Sequence, residues 1–286
     1  MASSTVTADR RKARVAVLEA SASLRGDATI LDRRYCTSPI KIAKTFSEGH
    51  SLRVMLMDAS PGMLAGDRYE LNWEAGSGTR LILTNQGFTK VHPCGPGKSA
   101  STETRYRIGP GACVETMMQP LMLYRDAVYE NRTVVDLAPG AVWMQGEVLC
   151  PGRTLRGEAF LYETLDNRLS VNYEGELIHH QRQLIRPSAH RMVAKGAWEK
   201  YSHLGSFYVF SDRVTPALLE IVRATLEEER MLELGIYAGA SLTYRHGLAA
   251  VAASDSAWKL QLWVRAIQDA MKRSLFGKSP SRRPLD

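Results

Sequence analysis

The sequence predicts a mainly β protein with a small α part, in which a layered or helix-like β architecture is followed by two C-terminal α-helices. Short runs of alternating apolar and polar residues, typical of half-buried strands, fill the first two thirds of the chain. A unit made of a Gly/Pro turn and a following strand occurs three times there. The last third instead contains two segments whose apolar residues recur at helical spacing.

The 286 residues are predicted to form a single domain with a basic segment at each end. Residues 1–12 are small, polar and basic and are expected to be disordered, and residues 279–286 form a basic C-terminal tail. The domain covers residues 13–278, of which 13–210 are expected to be β-rich and 211–278 to form a βαββα-like tail. A chain of this length can bury a self-sufficient core.

The first four strands are predicted from the alternation of apolar and polar side chains. They cover residues 15–22, 29–31, 39–44 and 52–57. A turn at Gly26 and Asp27 separates the first two. The third strand puts Ile40 and Ile42 on one face and Lys41 on the other, whereas the fourth is more apolar and is expected to be more buried.

Three turns that contain Gly78, Gly111 and Gly140 each precede a strand, and these glycines are 33 and 29 residues apart. The strands after the turns cover residues 80–84, 113–117 and 142–146, and the returning strands cover residues 102–108 and 131–137. No unit can bury its own apolar face alone, so the units are expected to stack. Gly-Pro turns also recur by chance in all-β proteins, and that explanation stays open at this point.

The first helix of the tail is predicted to begin at Thr215 as the N-cap, with Pro216 in its first turn. Leucine and valine residues at helical spacing continue the pattern to Leu234. Gly235 is expected to end the helix, because glycine adopts the left-handed conformation that closes many helices.

A hairpin and a second helix complete the predicted tail. The hairpin strands cover residues 241–244 and 248–252. The second helix begins after Asp255 and stops at Gly277, and its apolar stripe includes Trp258 and Trp263. This stripe either packs against the core or presents a tryptophan to a partner protein.

The composition and the charge distribution limit the classes of partner. Lys plus Arg total 37 and Asp plus Glu total 30, and part of the excess lies at the two ends, where it indicates solvated tails or steering toward an acidic partner. No basic helix or aromatic-interleaved basic strand is present, so nucleic acid is not an expected partner. No secretory signal and no run of 18 apolar residues is visible, so no membrane partner is expected. Four cysteines without a CxxC pair predict reduced thiols in a cytoplasmic protein.

Carboxylates near turns and strand ends are the main candidates for chemistry. They are Asp67, Glu70, Glu147, Glu158, Glu163 and Glu176. Asp67 follows Gly66, so it either caps a tight turn or serves a site. Glu147 lies inside an apolar run and needs either a positive partner, Arg153 or Arg156, or a wet cavity.

Histidine and cysteine side chains offer possible metal ligands at two places. His92 and Cys94 form one pair and His179 and His180 the other, and imidazole and thiolate suit nickel, zinc and copper. Neither pair has the spacing of a closed zinc site, and a surface histidine is the simpler interpretation. No Gly-x-Ser-x-Gly motif and no phosphate-binding loop is present, so neither a serine hydrolase nor a nucleotide hydrolase is predicted.

The most informative part of the chain covers residues 56–71 and 83–93. It reads as a strand, a Gly-rich turn that ends in Asp67, a second strand, and a polar segment that contains Thr89. This group of polar residues is not accompanied by a recognisable set of catalytic residues. It therefore favours the handling of a ligand and docking to a partner over catalysis of a reaction.

Eight blocks that include this part resemble the UreD family, also called UreH, whose members are accessory proteins of urease maturation. The blocks cover residues 39–42, 60–67, 83–91, 119–127, 149–158, 167–169, 235–241 and 277–280. One block alone is a weak signal, whereas eight in the family's order are a strong one. The resemblance extends from about residue 34 to residue 280.

The resemblance implies a non-enzymatic assembly factor with a mostly β fold and two helices. It implies a complex with UreF and the GTPase UreG on the urease apoprotein, and an indirect relation to the nickel chaperone UreE. It implies no tightly bound cofactor, only transient nickel that passes along polar residues lining an internal passage.

Carried over position by position, the resemblance gives Asp67, Thr89, Glu147 and Glu176 as candidates for this passage. Some members have a further carboxylate after Glu176, where this chain has Gln181 beside two histidines. His179 is therefore added as a candidate transient ligand. The loop at residues 62–66 is shorter and less Gly-rich than in many members, so the backbone around Asp67 is expected to differ.

Two other functions stay open from the sequence alone. An all-β carbohydrate-active enzyme would use Asp67 with Glu147 or Glu158 as its paired carboxylates, but the sequence does not give their separation. A pure protein-interaction module would dock on its partners without contacting metal.

Overall fold

The computed structural model describes residues 14–195, 197–228, 231 and 233–277. The strands within these residues are β1 (Val15–Arg25), β2 (Ala28–Cys36), β3 (Ile40–Glu48), β4 (Ser51–Asp58), β5 (Arg68–Ala75), β6 (Arg80–Asn85), β7 (Thr89–Val91), β8 (Ala100–Ile108), β9 (Cys113–Met117), β10 (Leu121–Leu123), β11 (Val128–Leu137), β12 (Val142–Cys150), β13 (Thr164–Tyr173), β14 (Glu176–Ile185), β15 (His203–Phe210), β16 (Tyr237–Leu242) and β17 (Gly247–Ser254). The helices are α1 (Pro216–Glu227) and α2 (Ala257–Phe276). The predicted disordered segment 1–12 and the predicted tail 279–286 lie outside the described residues.

Two sheets of mainly parallel strands form the body of the protein. Sheet A has the order β2-β1-β5-β8-β11-β13-β14, and only the strand pairs at its two ends are antiparallel. Sheet B has the order β3-β4-β6-β9-β12-β15-β17-β16, in which β4, β6, β9 and β12 are parallel neighbours. The predicted fold class, mainly β with C-terminal helices, is confirmed.

The chain alternates between the two sheets, so that consecutive turns stack as coils of a β-helix-like body. The turns with Gly78, Gly111 and Gly140 form one edge of this body, and all three glycines have a positive φ near 70°. The N–H of Gly78 donates to the carbonyl of Pro110 (2.9 Å), and the N–H of Gly111 donates to that of Pro139 (3.2 Å). These bonds join each turn to the next, which confirms the predicted stacking of the repeated units.

Longer loops form the opposite edge of the coils. The short strands β7 and β10 pair in parallel within these loops, and β10 also pairs with β12. The bridge between Met63 and Val91 joins the loop after β4 to the same layer. The loops are therefore ordered by backbone pairing, and they surround one side of the space between the sheets.

The core has two parts that share sheet B. Between the sheets, apolar side chains such as Leu18, Leu83 and Trp143 are fully buried. On the outer face of sheet B, Phe207 is buried under the two helices, and Trp263 of α2 is buried against the sheet. Sheet B is thus covered on both faces, which agrees with the apolar character of its central strands.

The tail has the predicted order of elements but departs from the prediction at the end of the first helix and in the first hairpin strand, which covers Tyr237–Leu242 and not 241–244. α1 begins after Thr215 as expected but ends at Glu227, not at Leu234, because Glu228 has a ψ of 135° and interrupts the helix. Met231 and Glu233 are helical again. Helix α2 ends at Gly277, which has a φ of +77°. Strands β16 and β17 extend sheet B beyond β15, so this tail shares a sheet with the preceding coils.

The apolar stripe of α2 mostly packs inward. Trp263 is 1% exposed and contacts the core of sheet B, whereas Trp258 is 55% exposed. Core packing therefore explains the stripe except at Trp258.

All four cysteines are free thiols, and three of them are buried. Across the described ranges, no helix combines the length and the hydropathy needed to cross a membrane.

Candidate functional site: a polar cavity between the sheets

A cavity of about 330 Å³ lies between the two sheets. Inward side chains of β5, β8 and β11 line it from sheet A, and those of β4, β6, β9 and β12 line it from sheet B. Asp58, Gln86 and Lys90, which are exposed, line one end. The cavity therefore opens to solvent among the loops that follow β4 and β6.

The polar lining arises from a change of residue type along the strands. Inward residues near the Gly/Pro turns are apolar, such as Trp143, whereas those nearer the loops are polar, such as Gln145 and Glu147. Because the strands are in register, equivalent polar positions become neighbours. The neighbouring pairs are Thr102 with Asn131, Thr104 with Thr133, and Thr116 with Gln145.

Glu147 is the carboxylate inside this cavity. Its carboxylate accepts a hydrogen bond from Asn167 Nδ2 (3.1 Å), and Asn167 Oδ1 in turn accepts one from Asn131 Nδ2 (2.9 Å). Burial raises the pKa of Glu147, and the hydrogen bond from Asn167 opposes this rise. A half-buried carboxylate thus faces the cavity with amide groups as its hydrogen-bond partners.

The ion pair that was one explanation for Glu147 is not formed. Arg153 instead binds Glu158 through two hydrogen bonds of 2.8 and 2.6 Å, and its guanidinium lies over the ring of Tyr124 at 4.1 Å. Arg156 is exposed in the short 3-10 turn that follows Arg153. The expectation of Arg153 or Arg156 as the partner was therefore wrong, because the loop after β12 folds back on itself, and the cavity is what accommodates Glu147.

Asp58 lies at the open end of the cavity. Its Oδ1 accepts hydrogen bonds from the N–H (2.8 Å) and the hydroxyl (2.6 Å) of Ser60, and its Oδ2 accepts one from Tyr69 Oη (2.9 Å). Burial is the main cause of the raised pKa of Tyr69, and the charge of Asp58 adds to it. The carboxylate is held in place while it remains exposed to solvent.

Thr89 and Asp67, two of the predicted site residues, have different positions. Thr89 lines the cavity from β7. Asp67 is buried in the turn before β5, where its Oδ2 accepts a hydrogen bond from the N–H of Leu64 (2.9 Å), and it is not among the lining residues. This geometry matches the turn-capping interpretation of Asp67.

Glu176 and His179 lie on β14, outside the cavity wall. Glu176 is exposed and forms an ion pair with Arg245 (2.5 Å). His179 packs between the sheets, with its ring centroid 5.1 Å from that of Phe210, and its buried Nε2 has no hydrogen-bond partner. Burial lowers the pKa of His179, which favours the neutral imidazole.

Polar side chains continue from the cavity toward His179. Tyr208 lies opposite Gln145 in the register of β15 and β12, and its hydroxyl donates to Gln181 Oε1 (2.7 Å). A hydrogen bond with Gln181 raises the pKa of His179, against the larger effect of burial. Gln181 thus lies between Tyr208 and His179, at the position where some UreD members have a carboxylate.

The other histidine and cysteine side chains that were considered as metal ligands lie apart from the cavity. His92 Nε2 lies 3.2 Å from the carbonyl oxygen of Pro61, and Cys94 Sγ is 3.5 Å from that of Val128. His180 Nδ1 lies 3.1 Å from the hydroxyl of Ser170. None of these three side chains lines the cavity.

The side chains that line the cavity are suited to contacting a ligand through oxygen and amide groups more than to catalysing a reaction. Within the part of the chain that the structure describes, no three His, Cys, Asp or Glu side chains come together in a way that could hold a metal ion. Neither Asp67 nor Glu158 lines the cavity that holds Glu147, so the carboxylate pairs of the glycosidase alternative are not assembled there. Carboxylate, hydroxyl and amide oxygens can contact a divalent cation weakly without enclosing it.

Sequence reasoning found Glu147 and Thr89 but missed most of the lining. Asp58, Asn131 and Gln145 were not singled out, although each occupies an inward position of a predicted strand or follows one directly. Alternation along each strand was the signal that could have found them, because it places polar residues on the buried face.

Comparison with known proteins assigns this architecture to one family. A sequence model of the UreD urease accessory protein family matches residues 14–285. The chain is 30% identical to a urease accessory protein UreD of Arthrobacter sp. strain FB24 over 264 residues, which cover 90% of this chain and 89% of that protein.

More distant bacterial relatives give the same result. The chain is 26% identical to a urease accessory protein UreD of Acetivibrio thermocellus over 245 residues, covering 85% of this chain and 92% of that protein. It is also 26% identical to a urease accessory protein UreH of Helicobacter hepaticus over 191 residues, covering 67% and 75%. The matches cover most of the length of the relatives.

Proposed function

Because the chain belongs to the UreD urease accessory protein family, we propose that it passes nickel ions through the cavity between its sheets to the urease apoprotein. In this role it is a non-enzymatic scaffold and assembly factor of urease maturation. Nickel is its cargo and not a resident cofactor.

The observation that carries this proposal is the carboxylate of Glu147, which has no ion-pair partner among the described residues and lies in a cavity lined by hydroxyl and amide groups as well as apolar side chains. A buried carboxylate is costly unless it meets water, a cation or hydrogen-bond donors. Asn167 donates one hydrogen bond to it, and the cavity supplies the room for water or a cation. A divalent cation that enters the cavity would contact the negative charge of Glu147. This contact would offset the free-energy cost of burying that charge.

The remaining lining suits an ion that must leave again. Conduction requires several weak contacts, since a tight closed site would hold the ion. Threonine hydroxyls and asparagine and glutamine amides line the cavity between Asp58 at the open end and Glu147 inside. Asp58 would attract the cation from solvent, the neutral oxygens would carry it inward, and Glu147 would receive it.

We further propose that the protein acts in the cytoplasm in a complex with UreF and the GTPase UreG on the urease apoprotein. The nickel chaperone UreE would be an indirect partner. Family membership and the opening of the cavity to solvent support this arrangement, since an ion must be handed over at an accessible end.

The central test replaces Glu147 by glutamine in cells that co-express the urease subunits, UreF and UreG. We expect Glu147→Gln to lower nickel per urease active site severalfold while the purified complex keeps its composition, because glutamine keeps the shape and removes the charge. Glu163→Gln is the matched control, since Glu163 is an exposed carboxylate that does not line the cavity. Full nickel loading by an intact Glu147→Gln complex would rule out the conduit role of Glu147.

A second variant separates the conduit from a pure protein-interaction module. Thr104 lines the cavity wall, so Thr104→Phe would put a ring into the space that the ion needs. A conduit predicts that this variant forms the complex but delivers little nickel. A module without metal contact predicts normal delivery by every complex that assembles.

A further inference from the structure

One edge of sheet B lacks the charged side chains that protect the other edges. Within the described residues the edge strands are β2 and β14 in sheet A and β3 and β16 in sheet B. Three of them carry charged residues, which are Asp32, Arg33 and Arg34 on β2, Lys41, Lys44 and Glu48 on β3, and Glu176 and Arg182 on β14. Strand β16 has no charged residue and no proline. Charges and prolines are the usual means by which edge strands avoid pairing, so β16 is open to it.

The backbone of β16 presents free hydrogen-bonding groups at this edge. The N–H of Thr243 donates to the carbonyl of Gly247 (2.8 Å), which fixes the phase of the ladder between β16 and β17. Because hydrogen-bonded pairs alternate in an antiparallel ladder, Gly239 faces β17 and Ala238 and Ala240 direct their N–H and C=O outward. These outward groups are the template for one more antiparallel strand.

Apolar side chains surround the same edge. Tyr237 is 72% exposed and Leu242 is 37% exposed on β16, and Val251 on the neighbouring β17 is 44% exposed. Tyr237 also stacks on Tyr201 with an interplanar angle of 17°. A strand added to β16 would cover part of this apolar surface.

We propose that a second copy of this chain pairs antiparallel with β16, with the two-fold axis at Gly239. This axis makes Ala238 the hydrogen-bonded partner of Ala240 of the second copy, and the two Gly239 residues form the close pair that lacks hydrogen bonds. An ideal Cβ on Gly239 meets nothing within 4 Å in the single chain, so the second backbone has room to approach.

Charge at the two ends of the strand favours a second copy over an unrelated strand. Glu228 and Glu233 are exposed before β16, and Arg245 follows it. An antiparallel two-fold pair places the acidic end of each strand beside the Arg245 end of the other. Arg245 uses Nη1 for Glu176, which leaves further guanidinium donors for the opposing glutamates.

Cysteine cross-linking tests the position of the axis. In the full chain under mild oxidation, Gly239→Cys is expected to form a covalent dimer, since the Cα atoms of such a pair lie about 4.5 Å apart and a disulfide accepts that spacing. Ser241→Cys is the matched control on the same exposed face, because the axis places its two copies four strand positions apart. The unsubstituted chain controls for Cys36, which is partly exposed. Equal cross-linking of the two variants, or none at Gly239→Cys, would overturn the proposal.

The oligomeric state of the full chain gives a second, independent measurement. Sedimentation over a range of concentrations is expected to show a monomer–dimer equilibrium, which Ala240→Pro weakens by roughly tenfold or more because each strand loses one outward N–H. Proline is tolerated at a strand edge when the lost N–H does not serve the ladder. A chain that stays monomeric at every concentration, or a dimer unaffected by Ala240→Pro, would show that another partner covers this edge or that it stays open.

Discussion

Glu147 is the residue of β12 that places a carboxylate in the cavity. The residue interrupts an apolar strand, and the structure resolves this by turning it toward polar neighbours instead of toward an arginine. Burial raises its pKa, so folding takes up a proton at pH values between the unfolded and the folded pKa. Glu147 is therefore a source of pH-dependent instability that a neutral residue would lack.

Glu147→Gln is expected to stabilise the isolated chain as the pH rises. The unfolded carboxyl has a pKa of about 4.3, and the folded pKa is higher, so the native state binds the extra proton between the two values. Stability of the wild type therefore falls as the pH rises through this window, by about 1.4 kcal/mol for each unit of pKa difference, and the variant escapes this loss. Thermal unfolding from pH 4 to 8 should give a difference near zero at the acid end that grows in favour of the variant. A difference that is constant with pH would contradict the raised pKa, and Glu163→Gln serves as the exposed control.

At the residue scale, the sequence showed that Glu147 is an unusual carboxylate in an apolar strand. It did not show how the structure accommodates this carboxylate. An acid in an apolar run is visible in the sequence, whereas the choice between an arginine and a cavity depends on where the loop after β12 folds. Arg153 is only six residues away, yet it pairs with Glu158 and stacks on Tyr124. Asp58 was missed although its partners Ser60 and Tyr69 are only two and eleven residues away, because the local sequence does not show that the end of β4 opens into a cavity.

Helix α2 approaches sheet B so closely that it requires a glycine. An ideal Cβ on Gly146 would lie 2.2 Å from Val264 Cγ1 and 3.0 Å from Met117 Sδ. Val264 is on the buried face of α2, and Gly146 is on the opposite face of β12 from Gln145 and Glu147. The helix contact and the cavity lining are thus neighbours on one strand.

Gly146→Ala is expected to destabilise the fold by about 1–3 kcal/mol, because an overpacked site forces α2 or β12 to shift. The added methyl group and the γ-methyl of Val264 compete for one position, so Gly146→Ala combined with Val264→Ala should recover part of the loss. Gly95→Ala is the control, since its Cβ would meet open space. Denaturant unfolding of the single and double variants measures the effect, and strict additivity would refute the shared contact.

At the scale of secondary-structure elements, strands and helices with a regular pattern of apolar residues were predictable. The point at which a helix is interrupted was not. Period-2 alternation and the Gly/Pro turns identified the strands and their stacking, because both reflect burial of one strand face. The end of α1 was placed seven residues too far, at Leu234, because the apolar spacing continues across the interruption of the helix at Glu228 to Met231 and Glu233, which are helical again. Hydrophobic spacing reports which side chains can be buried, not where the backbone hydrogen bonds stop.

At the scale of the whole molecule, α2 covers the outer face of sheet B together with α1. Its buried side chains pack on β12, β15 and β17, and the ion pair between Lys272 and the buried Glu115 (3.0 Å) attaches its last turns to β9. The apolar stripe that was read from the sequence as either core or partner surface is therefore mostly core.

Deletion of residues 255–286 is expected to abolish cooperative folding. Removal of α2 would expose the apolar outer face of sheet B, including Phe207. Near-ultraviolet circular dichroism and thermal unfolding would detect the loss. Deletion of residues 278–286 alone keeps α2 whole and is the control, and a cooperative transition in the longer deletion would contradict the prediction.

The fold class was predictable at this scale because the repeat and the helical tail each impose a period on the sequence. The cavity was not, because a hollow interior depends on how two sheets face each other. Threonine, asparagine and glutamine on inward positions look like ordinary strand residues until the sheets are brought together. Only the joint presence of Thr104, Asn131 and Gln145 on facing walls makes them a lining.

The stacked coils also determine how such a protein can change its length. Each coil adds one strand to each sheet, and neighbouring strands are about 4.8 Å apart. Insertion or loss of one whole coil would lengthen or shorten the cavity by that step while preserving the inward and outward faces of every other strand. The depth of the cavity is therefore a quantity that duplication of a single repeat can adjust in discrete increments, without redesign of the residues that line it.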